Sequence, residues 1–133
     1  MIEARTAALA HHEATRRVLI VDDYQDVSEV LASELQMQGF HVTPSRSFED
    51  AHEKLLIEIF DVLVTDVRLG EFNGIQLAVI AREKWPSMRI IVISGFDDSV
   101  VKAEATRLNA TYLLKPVSPE HLVTILRSES PAE

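Results

Sequence analysis

The chain has 133 residues, with 13 Lys and Arg against 21 Asp and Glu, for a formal charge of −8. That length suits one domain, the acidic excess argues against a phosphate-tracking nucleic-acid surface, and the absence of Cys excludes disulfide scaffolds, thiol nucleophiles and Cys-ligated zinc. Apolar runs reach only about four residues where a bilayer span needs about 20, and the N-terminus lacks a signal-peptide pattern, so neither a membrane nor export is expected and a cytoplasmic protein is.

Residues 1–15 read as an N-terminal extension. The adjacent His11 and His12 within it would not face one another on a helix, so no metal site is expected there. Val18-Leu19-Ile20-Val21 predicts the first strand. Val27, Val30, Leu31 and Leu35 then follow helical spacing, and Gly39 sits where a left-handed cap is wanted. Phe40-His41-Val42-Thr43 alternates as an edge strand would. Ser47 is a plausible N-cap for a second helix with the stripe Phe48, Ala51, Leu55 and Ile59. Val62-Leu63-Val64-Thr65 predicts the third strand. Leu77, Ala78 and Ala81 mark a third helix that Trp85-Pro86 stops. Ile90-Ile91-Val92-Ile93 predicts the fourth strand, and Val100, Ala103 and Leu108 a fourth helix. Thr111-Tyr112-Leu113-Leu114 predicts the fifth strand. Ser118-Pro119-Glu120 opens a fifth helix in N-cap and N1 style, with Leu122, Ile125 and Leu126 on its apolar side. The glycines Gly39, Gly70, Gly74 and Gly95 are all expected in connections, and the end of the chain from Ser128 reads as a polar tail.

Strict alternation of strand and helix implies a parallel α/β sheet with right-handed crossovers and helices on both faces. Nearly continuous apolar strands fit burial on both sides. All strands of such a sheet end on one edge, where open α/β folds place their chemistry. The first strand there delivers Asp22 and Asp23, the third Asp66, the fourth Ser94 and the fifth Lys115. Alone, each has a plainer reading: helix caps for Asp22, Asp23 and Ser94, a loop carboxylate for Asp66, a solvated amine for Lys115. Together they make one polar rim on four apolar strands. Two unit charges about 4 Å apart repel by about 4 kcal/mol at an effective dielectric near 20. Three neighbouring carboxylates therefore call for a proton or a hard divalent cation, and an all-oxygen site suits Mg²⁺. An Asp between such a cation and a lysine is a candidate phosphoryl acceptor.

The set Asp22-Asp23, Asp66, Ser94, Tyr112 and Lys115 resembles the signature of the response regulator receiver domain of two-component signalling. The loop from Asp66 to Gly74 is also similar, with glycine at the family's offset. The resemblance covers 16–128 and implies a flavodoxin-like (βα)5 fold with strand order 2-1-3-4-5. It implies Asp66 as phosphoacceptor and Asp22, Asp23, Asp66 and the backbone carbonyl of Arg68 as Mg²⁺ ligands. It implies Ser94 and Lys115 on the phosphoryl oxygens, a cis bond before Pro116, and Tyr112 as an aromatic switch that turns inward as Ser94 moves. The phosphoryl donor would be a histidine kinase or a histidine phosphotransfer protein. The fourth helix, fifth strand and fifth helix would bind partners or a second copy. No enzymatic turnover beyond gain and loss of its own phosphoryl group is implied.

Three departures stand out. Gly70 replaces a frequent proline, Tyr24 replaces a frequent third acid, and Arg68 and Phe96 occupy the positions flanking the acceptor, where a bulky Arg68 is expected to slow attack of water. Two rival classes fit less well. A haloacid-dehalogenase-like phosphatase wants an acid two positions after its first-strand Asp, and Tyr24 stands there. An FMN-binding flavodoxin needs a phosphate loop after the first strand, where Asp22 and Asp23 would repel phosphate. The chain reads as a stand-alone receiver or as one part of a longer transcriptional regulator.

Overall fold

The computed structural model describes residues 16–128, apart from the side chains of residues 25–28. The extension 1–15 with His11 and His12, the side chain of Val27, and the tail from 129 onward lie outside that description. Ten elements alternate along the chain. They are β1 (Arg17–Val21), α1 (Gln25–Met37), β2 (His41–Ser45), α2 (Phe48–Ile57), β3 (Val62–Asp66), α3 (Gly74–Lys84), β4 (Arg89–Ser94), α4 (Ser99–Arg107), β5 (Thr111–Leu114) and α5 (Pro119–Arg127). A short antiparallel ribbon, Arg68–Leu69 against Phe72–Asn73, joins β3 to α3.

The five long strands form one parallel sheet in the order β2-β1-β3-β4-β5, the flavodoxin-like topology expected. Period-two alternation divides each central strand between two cores. Val18, Ile20, Val62, Val64, Ile91 and Ile93 face the side covered by α1 and α5, with Leu31, Leu35, Leu122 and Leu126. Leu19, Val21, Leu63, Ile90 and Val92 face the side covered by α2 and α3, with Leu55, Leu77 and Ala81. Burying both faces removes solvent from β3 and from all of β1 and β4 beyond their first residues, Arg17 and Arg89, at about 2 kcal/mol for each large aliphatic side chain. The polar residues at the strand ends are thereby held on a rigid edge.

Local signals set most boundaries. Ser47 accepts from Asp50 N, and Ser118 accepts from His121 N with Pro119 at the first helical position. Gly39 adopts φ 101°, which an L side chain resists. Trp85 closes α3 before Pro86.

Four expectations need correction. β2 is displaced to His41–Ser45 and contains Pro44, tolerated because this strand lies at the sheet's edge. Val30 and Ile59 are exposed. α1 buries Leu31, Ala32 and Leu35, while Ile59 falls beyond the end of α2 and Phe60 takes the core position. On α4 the inward residue is Ala105, followed by half-buried Leu108, whereas Val100 and Ala103 face solvent. Finally, Gly74 is the first residue of α3 and not part of a connection. Among the described residues no helix is long and apolar enough to cross a membrane.

Candidate functional site

Asp22 and Asp23 follow β1, Asp66 ends β3, Ser94 ends β4 and Lys115 follows β5. The sheet brings the three carboxylates together, with one oxygen of each lying within 4.8 Å of the others. Asp22, directly after β1, is buried and accepts from Tyr24 N at 2.8 Å. Asp66 is buried as well, and Asp23 stands exposed at the rim. Lys115 Nζ lies 3.1 Å from Asp66 Oδ1 and 3.2 Å from Oδ2. Burial pushes the Asp66 carboxyl above its ordinary range. Lys115 opposes that shift, and the charges of Asp22 and Asp23 add to it.

One lysine against three carboxylates leaves the pocket with excess negative charge. The donors are all oxygen, converge, and are partly withdrawn from water. These residues fit a hard divalent cation. They fit a thiolate- or imidazole-seeking metal poorly, since the chain has no Cys and, among the described residues, no His joins the cluster.

The backbone under Asp66 is crowded. A Cβ on Gly74 would sit 2.1 Å from the Asp66 carbonyl oxygen and 2.7 Å from Thr65 Oγ1, so only glycine lets α3 begin this close. Thr65 Oγ1 donates to that same carbonyl at 2.9 Å. Neither contact was foreseen. Thr65 read as the end of an apolar run, and the offset from Asp66 to Gly74 was the sole hint.

Ser94 ends β4 and Tyr112 lies within β5, and both hydroxyls turn to the β4–α4 loop. Ser94 Oγ donates to the Phe96 carbonyl at 2.6 Å and accepts from Phe96 N at 3.1 Å. Tyr112 Oη donates to the same carbonyl at 2.8 Å and accepts from Asp98 N at 3.0 Å. One backbone oxygen thus receives both side chains. Asp98 also caps α4, accepting from Val100 N and Val101 N, a role that periodicity did not reveal.

Arg68 and Phe96, named separately from their offsets, touch each other: the Arg68 guanidinium carbon lies 5.2 Å from the centre of the Phe96 ring. This cation–π pair bridges the ribbon after β3 and the loop after β4. Lys115 Nζ similarly lies 5.9 Å from the centre of the exposed Tyr24 ring. The Lys115–Pro116 peptide is cis.

Comparison with known proteins agrees with this arrangement. A sequence model of the response regulator receiver domain matches residues 18–127. The alginate biosynthesis transcriptional regulatory protein AlgB of Pseudomonas aeruginosa is 31% identical over 111 residues, 83% of this chain and 25% of that protein. The response regulator receiver protein CpdR of Brucella abortus is 37% identical over 81 residues, 61% of this chain and 68% of that protein. The chain thus spans about a quarter of the alginate regulator and a larger share of the receiver protein. A CheY-like receiver domain from Methanospirillum hungatei superposes with a TM-score of 0.82 at 24% identity, covering 85% of this chain and 91% of that one.

Proposed function

The chain belongs to the response regulator receiver domain family, and on that premise we propose that it is a phosphoacceptor module in which Asp66 takes a phosphoryl group from a phosphohistidine donor. The observation that carries this reading is the pocket itself. A buried carboxylate has an ammonium on both of its oxygens and two further carboxylates beside it.

Asp22, Asp23, Asp66 and the carbonyl of Arg68 would hold Mg²⁺. Bound there, the ion supplies positive charge against the transferring oxygens and relieves repulsion among the carboxylates. An Asp66 oxygen attacks phosphorus and forms the O–P bond. The N–P bond of the donor breaks, and its electrons stay with the imidazole, which leaves carrying a proton. Lys115 Nζ is already at the acceptor and neutralises charge spread over the phosphoryl oxygens. No proton needs to leave Asp66, so no general base is called for.

The acyl phosphate adds acceptor oxygens beside Ser94. Ser94 Oγ then has a stronger partner than the Phe96 carbonyl, and its rotation frees one of that carbonyl's two hydrogen bonds. Ser94 also accepts from Phe96 N, so its departure loosens the loop that carries the carbonyl to which Tyr112 is bonded, and the outward position of Tyr112 is weakened with it. The two hydroxyls are thereby coupled as a switch whose equilibrium phosphorylation biases. Its output surface is α4, β5 and α5, which would dock a partner or a second copy. The receiver unit is assigned to 16–128, alone or ahead of further domains.

Incubation with acetyl phosphate and Mg²⁺ followed by intact mass measurement tests the reading. One added phosphoryl group on the wild type and none on Asp66→Asn is the expected result. Equal labelling of both, or of neither, overturns it.

A further inference from the structure

Asp22 is the most deeply buried of the two acids after β1, and its backbone is held from one side by a part of the molecule not yet given a role. Its N–H donates to the carbonyl of Ser45, the last residue of β2, at 3.0 Å. Pairing of β1 with β3 ends one residue earlier, at Val21 against Thr65. The bond to Ser45 is thus the final rung that ties the acidic turn to the sheet.

Ser45 is itself fixed. It is 2% exposed, although it lies at the end of an edge strand. Its Oγ donates to Asp50 Oδ2 at 2.7 Å, and Lys54 Nζ reaches the same oxygen at 2.6 Å. Asp50 N in turn donates to Ser47 Oγ at 3.0 Å. Lys54 and Ser45 hold the Asp50 carboxyl below its ordinary range, so it stays an acceptor at neutral pH. The chain of contacts runs from the first turn of α2, through Ser45, to the backbone of Asp22.

Solvent reaches this chain of contacts from one side. A groove of about 710 Å³ opens beside it, walled by Asp23, Glu29, Pro44 and Arg46. That groove is open, so solvent reaches the β1–α1 turn on that side. The end of β1 is held there by hydrogen bonds, and those bonds converge on Ser45.

We infer that Ser45, locked by Asp50 and Lys54, is a positioning residue for Asp22 and sets the affinity of the acidic pocket for a divalent cation. The inference rests on the proposed Mg²⁺ site and adds residues outside it. Supporting groups behind metal ligands change affinity by about 10-fold or more when removed.

Mg²⁺ binding to the purified chain, measured calorimetrically, tests it together with melting temperature. Ser45→Ala keeps the carbonyl bonded to Asp22 N and removes only the lock on it, so it is expected to weaken Mg²⁺ by about threefold, less than the ~10-fold of losing a direct partner, while the protein stays folded. Asp50→Asn keeps shape but weakens the lock, and is expected to lose part of that affinity. Glu49→Gln makes the same charge change on the same helical turn without a contact to Ser45, and should bind as the wild type does. Combining Ser45→Ala with Asp50→Asn should cost no more than Ser45→Ala alone, because both act through one chain. Wild-type affinity in folded Ser45→Ala overturns the inference. So does an equal loss in Asp50→Asn and Glu49→Gln, which would make the effect one of net charge. Should Ser45→Ala fail to fold, the comparison of Asp50→Asn with Glu49→Gln decides. Absence of Mg²⁺ binding in the wild type would instead remove the proposed function.

Discussion

Arg68 and Phe96 show how much of the site a sequence can carry and where it stops. Their offsets from Asp66 and Ser94 identified both as neighbours of the acceptor, but nothing in the spacing said that they touch. Their contact depends on the ribbon that folds Arg68 back over the pocket toward the β4–α4 loop. An exposed cation–π pair contributes about 0.5–1 kcal/mol, enough to bias where the guanidinium rests. Arg68→Ala should therefore shorten the half-life of phospho-Asp66 by about two- to fivefold, read by loss of the phosphoryl mass after the donor is removed. An unchanged half-life would show that Arg68 does not screen the acyl phosphate from water. The five charged or hydroxyl groups of the pocket are legible because each lies within two residues of the end of an apolar run. Ser45 was not legible, because it ends a polar edge strand that Pro44 and His41 disguise.

At the scale of elements, helices with a capping residue and a proline or glycine stop were the most readable, and faces were the least. Val30 and Val100 are apolar residues in helical register that nonetheless face solvent. Periodicity reports a repeat, and which of two adjacent stripes turns inward depends on the sheet. The start of α3 makes a sharper case. Gly74→Ala would drive a methyl group into the Asp66 carbonyl, and overpacking of this kind costs about 1–3 kcal/mol. Urea denaturation should show that loss, and Mg²⁺ affinity should fall with it because Asp66 must shift. Stability equal to wild type would mean that α3 can back away freely. The first turn of α2 gives a pH prediction. The Asp50 carboxyl is held low in the folded state by Lys54 and Ser45. Its contribution is therefore present above the unfolded carboxyl range and is lost as pH falls through the folded value. Asp50→Asn should be less stable than wild type at pH 7, and the two should converge below about pH 4. Since the pair is partly exposed to solvent, which screens it, the gap should be about 1 kcal/mol or less. A gap that persists undiminished at pH 2.5 would contradict the assignment.

Across the whole molecule, charge is distributed by pole. Helix N-termini and the carboxylates share the edge where strands end. The helix C-termini lie at the opposite edge, and arginines from neighbouring elements donate to carbonyls there. Arg127 reaches Gln38 after α1, Arg82 reaches Leu108 and Asn109 after α4, and Arg16 and Arg89 reach Leu126 and Ser128 at the end of α5. Each arginine both satisfies a carbonyl and complements the negative end of a helix dipole. Bound Mg²⁺ and Lys115 would offset the three pocket carboxylates, but the formal charge of −8 on the whole chain still repels an anionic donor on approach. Raising NaCl from 20 to 200 mM at saturating Mg²⁺ shortens the Debye length and should speed labelling by acetyl phosphate. A slower rate would indicate that Arg68 and Lys115 outweigh the carboxylates at long range.

The shared carbonyl of Phe96 has a spectroscopic consequence. An amide C=O stretches at lower frequency the more hydrogen bonds it accepts, and this one accepts from two side chains at once. A single carbon-13 label in that peptide group would yield an infrared band that climbs in separate increments as Ser94 and then Tyr112 let go. The order and lag of those increments in a time-resolved trace would give the sequence of events inside the loop, without a probe attached to either side chain.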